Sequence, residues 1–169
     1  MELLIPGLLL VALMVWASTK IKKHAAGAFE AEFIETENYS LQKPDGFLHV
    51  LGADEHEFFA YSKDFGKGDD SGIRQATIEI DVFPGSGLGS VRDTVKSAAT
   101  RSEVTIETAT VSELNTDESA NETIVSASYK IVAAHEEVYR LRFAVLPEYV
   151  EDYRPRIREA FDSFMIKTN

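Results

Sequence analysis

Apolar and polar residues alternate along three stretches of the chain with the two-residue period of a half-buried β-strand. The first stretch covers residues 76–83, where alanine, isoleucine and valine alternate with threonine, glutamate and aspartate. The other two cover residues 123–132 and 139–145, and only a short turn at 133–136 separates them. Because two alternating runs joined by a short turn are typical of a hairpin, these two strands are predicted to be adjacent and antiparallel.

Two further stretches show the three- and four-residue spacing of apolar positions in an amphipathic helix. The first covers residues 88–99, with Ser90 predicted as the residue that caps its N-terminus. The second covers residues 150–164, and its regular part is predicted to begin near Asp152, with Pro155 in the first turn. Both helices have one apolar side and are expected to pack on the sheet.

Shorter segments complete the predicted sheet. Residues 39–42 and 47–51 flank the turn at 43–46, which contains Pro and Gly, and they are predicted to form a hairpin or a tight corner. Residues 57–62 form another candidate strand, and residues 103–114 form one or two. Strands joined by short turns outnumber helices, so we predict the α+β class, an antiparallel sheet packed with helices.

The loops of the predicted domain are polar. Residues 63–72 form a glycine-rich polar loop, and residues 115–121 are predicted to be a polar turn. The segment at 24–37 is rich in alanine and glutamate and is compatible with either helix or strand. We interpret this segment as a neck that precedes the domain.

The N-terminal part of the chain is a long apolar run that covers residues 3–17 and is followed by three lysines. A helix over residues 3–21 would be about 28 Å long, enough to cross a bilayer if the lysine side chains extend to its surface. One N-terminal transmembrane helix is therefore predicted. The residues assigned to the membrane anchor are Leu3, Leu8, Leu9, Leu10, Trp16, Lys20, Lys22 and Lys23.

Two alternatives to an anchor are a cleaved secretory signal and a helix buried in a soluble core. A cleaved signal needs basic residues before its apolar core, and the early charge here is the acidic Glu2. A buried helix needs protein on all sides, and the rest of the chain is too short to supply it.

The order of charges around the anchor also predicts its orientation. Lysines that follow the apolar run favour the cytoplasmic side of a membrane, which leaves the N-terminus outside and the domain in the cytoplasm. A periplasmic domain is the alternative. The chain is accordingly divided into an anchor with its basic stop at 1–23, a neck at 24–37 and a single α+β domain at 38–169.

The amino-acid composition of the chain limits the kinds of molecule that the domain can bind. Beyond residue 24 the chain carries 27 acidic and 14 basic side chains, a net charge of −13. Such a domain repels phosphate backbones, which argues against nucleic acid as a partner. The chain has no cysteine, which excludes disulfides and thiolate metal sites.

The sequence motifs that could indicate a catalytic, nucleotide-binding or metal-binding site are weak. The loop with Gly85, Gly87 and Gly89 precedes a helix, but its spacing is not that of the dinucleotide-binding fingerprint. Acidic residues at 64–70 lack the alternation of a calcium loop, and the four histidines lack the spacing of a helical zinc site. We therefore predict no catalytic residue, metal ligand or cofactor, and a protein that is not an enzyme.

Four charged residues form the one surface that we select as a possible binding site. Arg140 and Arg142 lie on the polar face of their strand, and Glu79 and Asp81 lie on the equivalent face of theirs. Such residues often form cross-strand charge pairs. The second hypothesis is that the four form a patch that binds a protein partner.

Four sequence features recur in one known superfamily. They are the opening Y-S-L-Q-K-P-D-G-F at 39–47, a strand that ends V-F-P before a glycine-bearing loop and helix, a late hairpin that closes on Y-R-L-R-F-A-V-L-P, and a final helix that runs into D-S-F. In these features the chain resembles the PsbP-like superfamily, which also includes the DcrB and Ran-binding import factor families. The resemblance implies an antiparallel sheet between helical layers.

The same resemblance implies a binding or assembly role, since members of the superfamily are not enzymes. Two features depart from the family pattern: Phe47 stands where members commonly carry tryptophan, and the chain has no cysteine for the lipid anchor of bacterial members. We therefore expect a single-pass, membrane-anchored binding or scaffold domain, an accessory or assembly subunit of a membrane complex. The alternative is a domain that binds a small ligand or a divalent ion through the glycine-rich or acidic loops.

Overall fold

The computed structural model describes Met14 and residues 27–52, 55–120 and 123–167. The predicted anchor and the first part of the neck lie, apart from Met14, outside these residues. No helix within the described ranges has the length and apolar character needed to cross a membrane.

The described chain forms two antiparallel sheets and two α-helices. The large sheet has the strand order β3-β4-β5-β9-β8-β7-β6, and the small sheet has the order β1-β2-β10. This arrangement confirms the predicted α+β class. The elements are β1 Glu32–Glu35, β2 Tyr39–Lys43, β3 Phe47–His49, β4 Phe58–Ser62, β5 Ala76–Pro84, α1 Leu88–Ala98, β6 Arg101–Glu107, β7 Val111–Ala120, β8 Thr123–Ala134, β9 Glu137–Val145, α2 Val150–Ser163 and β10 Met165–Ile166.

The inner face of the large sheet packs against α2 and β2. Ile78 and Leu141 on this face are fully buried, and Leu41 of β2 joins the same core. Phe47, at the position where the superfamily commonly has tryptophan, is fully buried, with its ring 5.3 Å from that of Phe143 and 5.9 Å from that of Tyr153. A phenylalanine thus fills this place in the core.

In the part of the chain that the structure describes, α1 covers one side of the outer face of the large sheet. Helix α1 contacts β7 and β8, where Val91 and Val95 pack with Leu114 and Ile131. The three- and four-residue spacing of Leu88, Val91 and Val95 predicts this apolar side of α1 correctly. Helix α1 does not pack on the part of the outer face that is formed by β3, β4 and β5.

The predicted hairpin of β8 and β9 is confirmed, with Val132 opposite Tyr139. Its turn is tight, because His135 and Glu136 both adopt positive φ angles of 52° and 64°. The segment at 39–49 forms the corner and not the hairpin: β2 pairs with β1 and β10, whereas β3 pairs with β4. The neck was predicted to be either helix or strand, and its residues Glu32–Glu35 form a strand.

Two predicted boundaries are wrong. Residues 115–120 are not a turn but the second half of β7, because their polar side chains pair across the sheet: Asn115 accepts a hydrogen bond from Ser128 and Asp117 accepts one from Ser126. Ser90 does not cap α1. The helix already begins at Leu88, after an extended Gly87, and no side chain caps it.

The last helix begins slightly earlier than predicted. A 3₁₀ turn at Pro147–Tyr149 leads directly into α2 at Val150, so Asp152 already lies within the first turn. Pro155 consequently falls in the second turn and not in the first. Its missing N–H leaves the carbonyl of Glu151 without the usual helical donor.

Candidate functional site on the outer face of the sheet

The four charged residues selected from the sequence meet on the outer face of the large sheet. In the antiparallel register of β5 and β9, Glu79 lies opposite Arg142 and Asp81 lies opposite Arg140. Arg142 Nη1 donates to both oxygens of Glu79 at 2.9 and 3.0 Å, and Arg140 Nη2 donates to Asp81 Oδ2 at 2.7 Å. The predicted cross-strand charge pairs are therefore present.

Arg142 is the centre of a larger network. Its Nη2 donates to Glu118 Oε2 and its Nε donates to the Tyr129 hydroxyl, both at 3.0 Å. Tyr129 in turn donates to Glu118 Oε1, which also accepts a hydrogen bond from Thr116 at 2.7 Å. Every polar nitrogen of the Arg142 guanidinium thus has an acceptor within the sheet.

The network changes the acidity of its members. Burial alone would raise the pKa of Glu118, but the hydrogen bonds from Tyr129 and Thr116 and the charge of Arg142 outweigh it, so that this pKa is lowered. Burial, followed by the neighbouring Glu118, raises the pKa of Tyr129. Burial would lower the pKa of Arg142, but the charges of Glu79 and Glu118 raise it. At neutral pH Arg142 is thus a cation, Glu118 a carboxylate and Tyr129 neutral.

Because these charges satisfy one another, they fix the register of β5, β7, β8 and β9. Their side chains are at most about a quarter exposed. The hypothesis that the patch itself binds a partner stays a prediction, and the most exposed groups on this face lie elsewhere.

A row of aromatic residues runs beside the charged network, along β4 and the loop that follows it, with Phe65 exposed and Phe59 and Tyr61 half-buried. We define the aromatic row as Phe59, Tyr61 and Phe65 together with Arg74. The guanidinium of Arg74 lies between two rings, 4.4 Å from the centre of Tyr61 and 3.8 Å from that of Phe65. Phe59 and Tyr61 are 6.4 Å apart, and Phe65 is 47% exposed. Sequence analysis missed this row, although two aromatics at alternate positions of a predicted strand were visible.

The loop at 63–75 places Phe65 and Arg74 together. Gly66 N–H donates to the carbonyl of Ile73 at 2.8 Å, and Phe65 and Arg74 form an isolated antiparallel bridge. Arg74 Nη1 donates to the main-chain carbonyl of Lys63 at 2.8 Å. The sequence predicted only a polar loop here, because this contact depends on the loop folding back on itself.

A cleft of about 710 Å³ opens at the other end of β4 and β5. On its wall Asp81 joins two groups: its Oδ1 accepts a hydrogen bond from His56 Nδ1 at 2.7 Å, and its Oδ2 accepts the bond from Arg140. His56 stacks on Phe59, with the ring centres 5.7 Å apart. The sequence contained His56 and Asp81 but gave no sign that they meet.

The other motifs of the sequence form no site in the described residues. Gly87 precedes α1 without a side-chain cap, and the acidic loop contains only a short 3₁₀ turn at Gly68–Asp70. Within the described ranges, no three His, Asp or Glu side chains are grouped so as to hold a metal ion. His49 packs on Phe58, and His135 bonds to the carbonyl of Lys167. His24 lies outside the described residues.

Comparison with known proteins gives matches in structure and none in sequence. No family model matches the chain. No curated protein matches it either.

Solved structures with a similar fold cover most of the chain. LpqN of Mycobacterium tuberculosis, a protein involved in cell envelope biogenesis, is similar over 82% of this chain and 91% of its own, with a TM-score of 0.57 and 10% identity. The Ran-binding protein Mog1p of Saccharomyces cerevisiae is similar over 82% of this chain and 96% of its own, with a TM-score of 0.54 and 13% identity. At such low identity these likenesses establish the fold alone. The fold is the PsbP-like fold that the sequence resemblance implied.

Proposed function

We propose that this protein is a membrane-anchored binding domain, without enzymatic activity, that binds another protein through the aromatic row. The observation that carries the proposal is the position of Arg74 between Tyr61 and Phe65, on a part of the sheet that no described helix covers. Tyrosine, phenylalanine and arginine are enriched in protein interfaces, where rigid rings supply contact area at low cost in entropy.

The charges around the row indicate the chemistry of the partner. Arg74 bonds to main-chain carbonyls of Ser62 and Lys63, and within the described residues no carboxylate forms a salt bridge with it. Among the described side chains, Arg74 is therefore a cation without a charged counterpart, in a strongly acidic domain. A partner that offers an apolar surface with one acidic side chain would complement the row.

The exposed apolar side chains nearby extend the surface. Ile73, next to Arg74, is 40% exposed. A shallow cavity of about 260 Å³ beside it reaches as far as Glu79 and Arg142. In this proposal the charged residues chosen from the sequence form the margin of the interface and hold its strands in register.

Two further points support the proposed binding role. One of the similar structures is named for its binding to Ran and another for its involvement in cell envelope biogenesis. An anchor at residues 1–23 would hold the domain beside the bilayer, which raises its effective concentration for membrane-bound partners without any new contact. We propose a cytoplasmic domain, with a periplasmic one as the alternative.

Photocrosslinking in the full-length protein tests the docking surface. A photoreactive amino acid at position 65 is expected to give a discrete adduct with one membrane protein, and the same amino acid at position 106 is the control. Ile106 lies on the edge strand β6 and is 45% exposed, close to the 47% of Phe65.

Substitution then measures the contribution of the row. Phe65→Ser is expected to reduce recovery of the adduct partner from detergent extracts about tenfold or more, since a central aromatic residue contributes roughly 2 kcal/mol or more to such interfaces. Ile106→Ser is expected to leave recovery unchanged. Equal recovery with both variants would contradict the aromatic row as the docking surface.

The orientation has its own test, independent of docking. A topology reporter fused after Asn169 is expected to show cytoplasmic activity, and exchange of Lys20, Lys22 and Lys23 for glutamine is expected to weaken this preference. Periplasmic activity of the unmodified fusion would overturn the orientation.

A further inference from the structure

The chain enters the folded domain at the corner between β2 and β3. Gly46 N–H donates to the carbonyl of Phe29 at 2.7 Å, and Lys43 Nζ donates to that of Glu30 at 2.5 Å. These two hydrogen bonds attach residues 29 and 30, which precede β1, to the corner at 43–46. The neck is therefore fixed to the domain from residue 29 onward, at one end of the large sheet.

The loop that carries Phe65 begins at this same corner. Lys63, the first residue of that loop, donates its main-chain N–H to the carbonyl of Gly46 at 2.7 Å. Phe65 follows two residues later. The loop at 63–75 thus lies beside the point where the chain enters, whereas Leu51 lines the cleft at the other end of β4.

Only a short piece of chain connects this corner to the predicted anchor. Three residues separate Lys23, the last lysine of the basic stop, from Gly27, where the continuous described chain begins. Four extended peptide units span at most about 14 Å. Because the proposed anchor places its lysines at the bilayer surface, the end of the domain with the loop at 63–75 is the end nearest to the bilayer.

We propose that the aromatic row binds the juxtamembrane segment of an integral membrane protein in the same bilayer. This inference rests on the anchor and the docking surface of the proposed function, and it adds the part of the partner that the row contacts. A segment that leaves the bilayer next to a transmembrane helix lies near the height of the row. Neither protein then has to extend its chain to reach the other, which keeps the effective concentration of the two surfaces high.

The chemistry of juxtamembrane segments complements the row. Tryptophan and tyrosine are enriched where membrane proteins leave the bilayer, and their rings can pack on those of Tyr61 and Phe65. An acidic side chain of the same segment would pair with Arg74, which lies between these two rings. Lipid fits the row less well, because Asp64 precedes Phe65 and the net charge of −13 beyond residue 24 repels anionic headgroups.

Fluorescence energy transfer in lipid nanodiscs tests the height of the row without any partner. The chain has no cysteine, so Lys67→Cys in the loop and Leu51→Cys at the cleft each give the full-length protein a single site for a donor label. Both positions are exposed. With acceptor-labelled lipid headgroups, we expect transfer from position 67 to exceed that from position 51 about twofold or more, because β4 is about 17 Å long. Equal or weaker transfer from position 67 would overturn the placement of the row.

A spacer between anchor and domain changes the height of the row and leaves the domain itself intact. The helical spacer (EAAAK)₃, inserted between Lys23 and His24, adds about 22 Å where it is helical. The yield of the protein adduct from a photoreactive amino acid at position 65 is expected to fall about tenfold or more, since the row is lifted away from the partner segment. The same insertion after Asn169 is the control. An unchanged yield with the first insertion would contradict the proposal.

The position of the crosslink on the partner identifies the bound segment. Mass spectrometry of the adduct at position 65 is expected to find a peptide adjacent to a transmembrane segment of the partner. An adduct with lipid, or with a domain of a membrane protein far from its transmembrane segments, would overturn the juxtamembrane assignment. Absence of any protein adduct would instead contradict the docking surface itself, while the energy transfer still measures the height of the row. Failure of this inference and failure of the proposed function are therefore distinguishable.

Discussion

Arg142 lies directly opposite Glu79 on neighbouring antiparallel strands, and its Nη1 donates to both oxygens of that carboxylate, at 2.9 and 3.0 Å. The same guanidinium binds Glu118 through Nη2. A single cation therefore compensates two carboxylates that are about one-seventh exposed. Three strands depend on this one side chain for the pairing of their buried charges.

Arg142→Met is expected to destabilise the domain strongly. The substitution leaves Glu79 and Glu118 buried without a cation, and breaking a buried pair in this way typically costs about 3 to 5 kcal/mol. The measurement is the free energy of unfolding in urea at neutral pH. Arg154→Met, in an exposed pair with Glu151, is the control and should change that energy by less than about 0.5 kcal/mol. Similar losses in both variants would show that the network adds nothing to stability.

The lowered pKa of Glu118 predicts how the stability of the domain depends on pH. Its pKa in the folded domain is lowered from an ordinary value of 4.5, so its ionised form favours folding. Its contribution is fully present above pH 4.5 and is lost as the pH falls through the lower folded pKa. Glu118→Gln should therefore cost about 1 to 3 kcal/mol at neutral pH, and the difference from the wild-type protein should shrink in acid.

Unfolding free energies measured in steps from neutral pH to pH 3 test this dependence. The control is Glu151→Gln, which removes a carboxylate that is 77% exposed and should leave the pH profile unchanged. A constant difference between Glu118→Gln and the wild-type protein across the range would contradict the assigned role of Glu118.

The sequence predicted the parts of the fold that depend on local pattern. Alternation in β5, β8 and β9 identified both the strands and their faces, which was sufficient to place Glu79 and Arg142 on the same side of the sheet. It did not identify the second half of β7, because an alternation of apolar residues is absent where Asn115 and Asp117 pair with serines across the sheet. Cross-strand polar pairing requires knowledge of the partner strand.

Both candidate sites depend on contacts that are distant in sequence. His56 and Asp81 are 25 residues apart, and Arg74 meets Tyr61 only because the loop between them folds back. Neither contact leaves a periodic signal. The sequence did suggest that Asp81 and Arg140 share a surface, but residues of 50–52 and 55–57 also line the cleft beside them, and no local pattern predicts this.

Gly66→Ala is expected to disrupt the aromatic row. A Cβ atom at this position would lie 2.7 Å from the carbonyl oxygen of Asp70 and 2.7 Å from Leu146 Cδ1, so the loop would have to move. We expect a loss of about 1 to 3 kcal/mol in the free energy of unfolding and, since Phe65 is the preceding residue, a weaker photocrosslink at position 65. Gly72→Ala in the same loop is the control, because nothing lies within 4 Å of its Cβ position. Equal stability of the two variants would contradict the close approach at Gly66.

Lys43 is the most unusual buried group in the domain, and its substitution tests how the corner between the two sheets is held. The side chain is fully buried, and its Nζ donates to the carbonyl of Phe47 at 2.6 Å and to that of Glu30 at 2.5 Å. Burial lowers the pKa of this lysine. β2 and β3 do not pair with each other. The hydrogen bond from the Lys43 ammonium group to the Phe47 carbonyl links these two strands instead.

Lys43→Met retains the length of the side chain but removes its donors. The carbonyl of Phe47 would then be buried without a partner, and the expected loss in the free energy of unfolding is about 2 kcal/mol, because the lost charged hydrogen bonds outweigh the relief from burying a charge. Hydrogen exchange should also accelerate at residues 44–49. Lys63→Met, at an exposed position, is the control. A Lys43→Met variant as stable as the wild-type protein would show that the cost of burying the ammonium group cancels its hydrogen bonds, and that the corner is held by Phe47 and its aromatic neighbours instead.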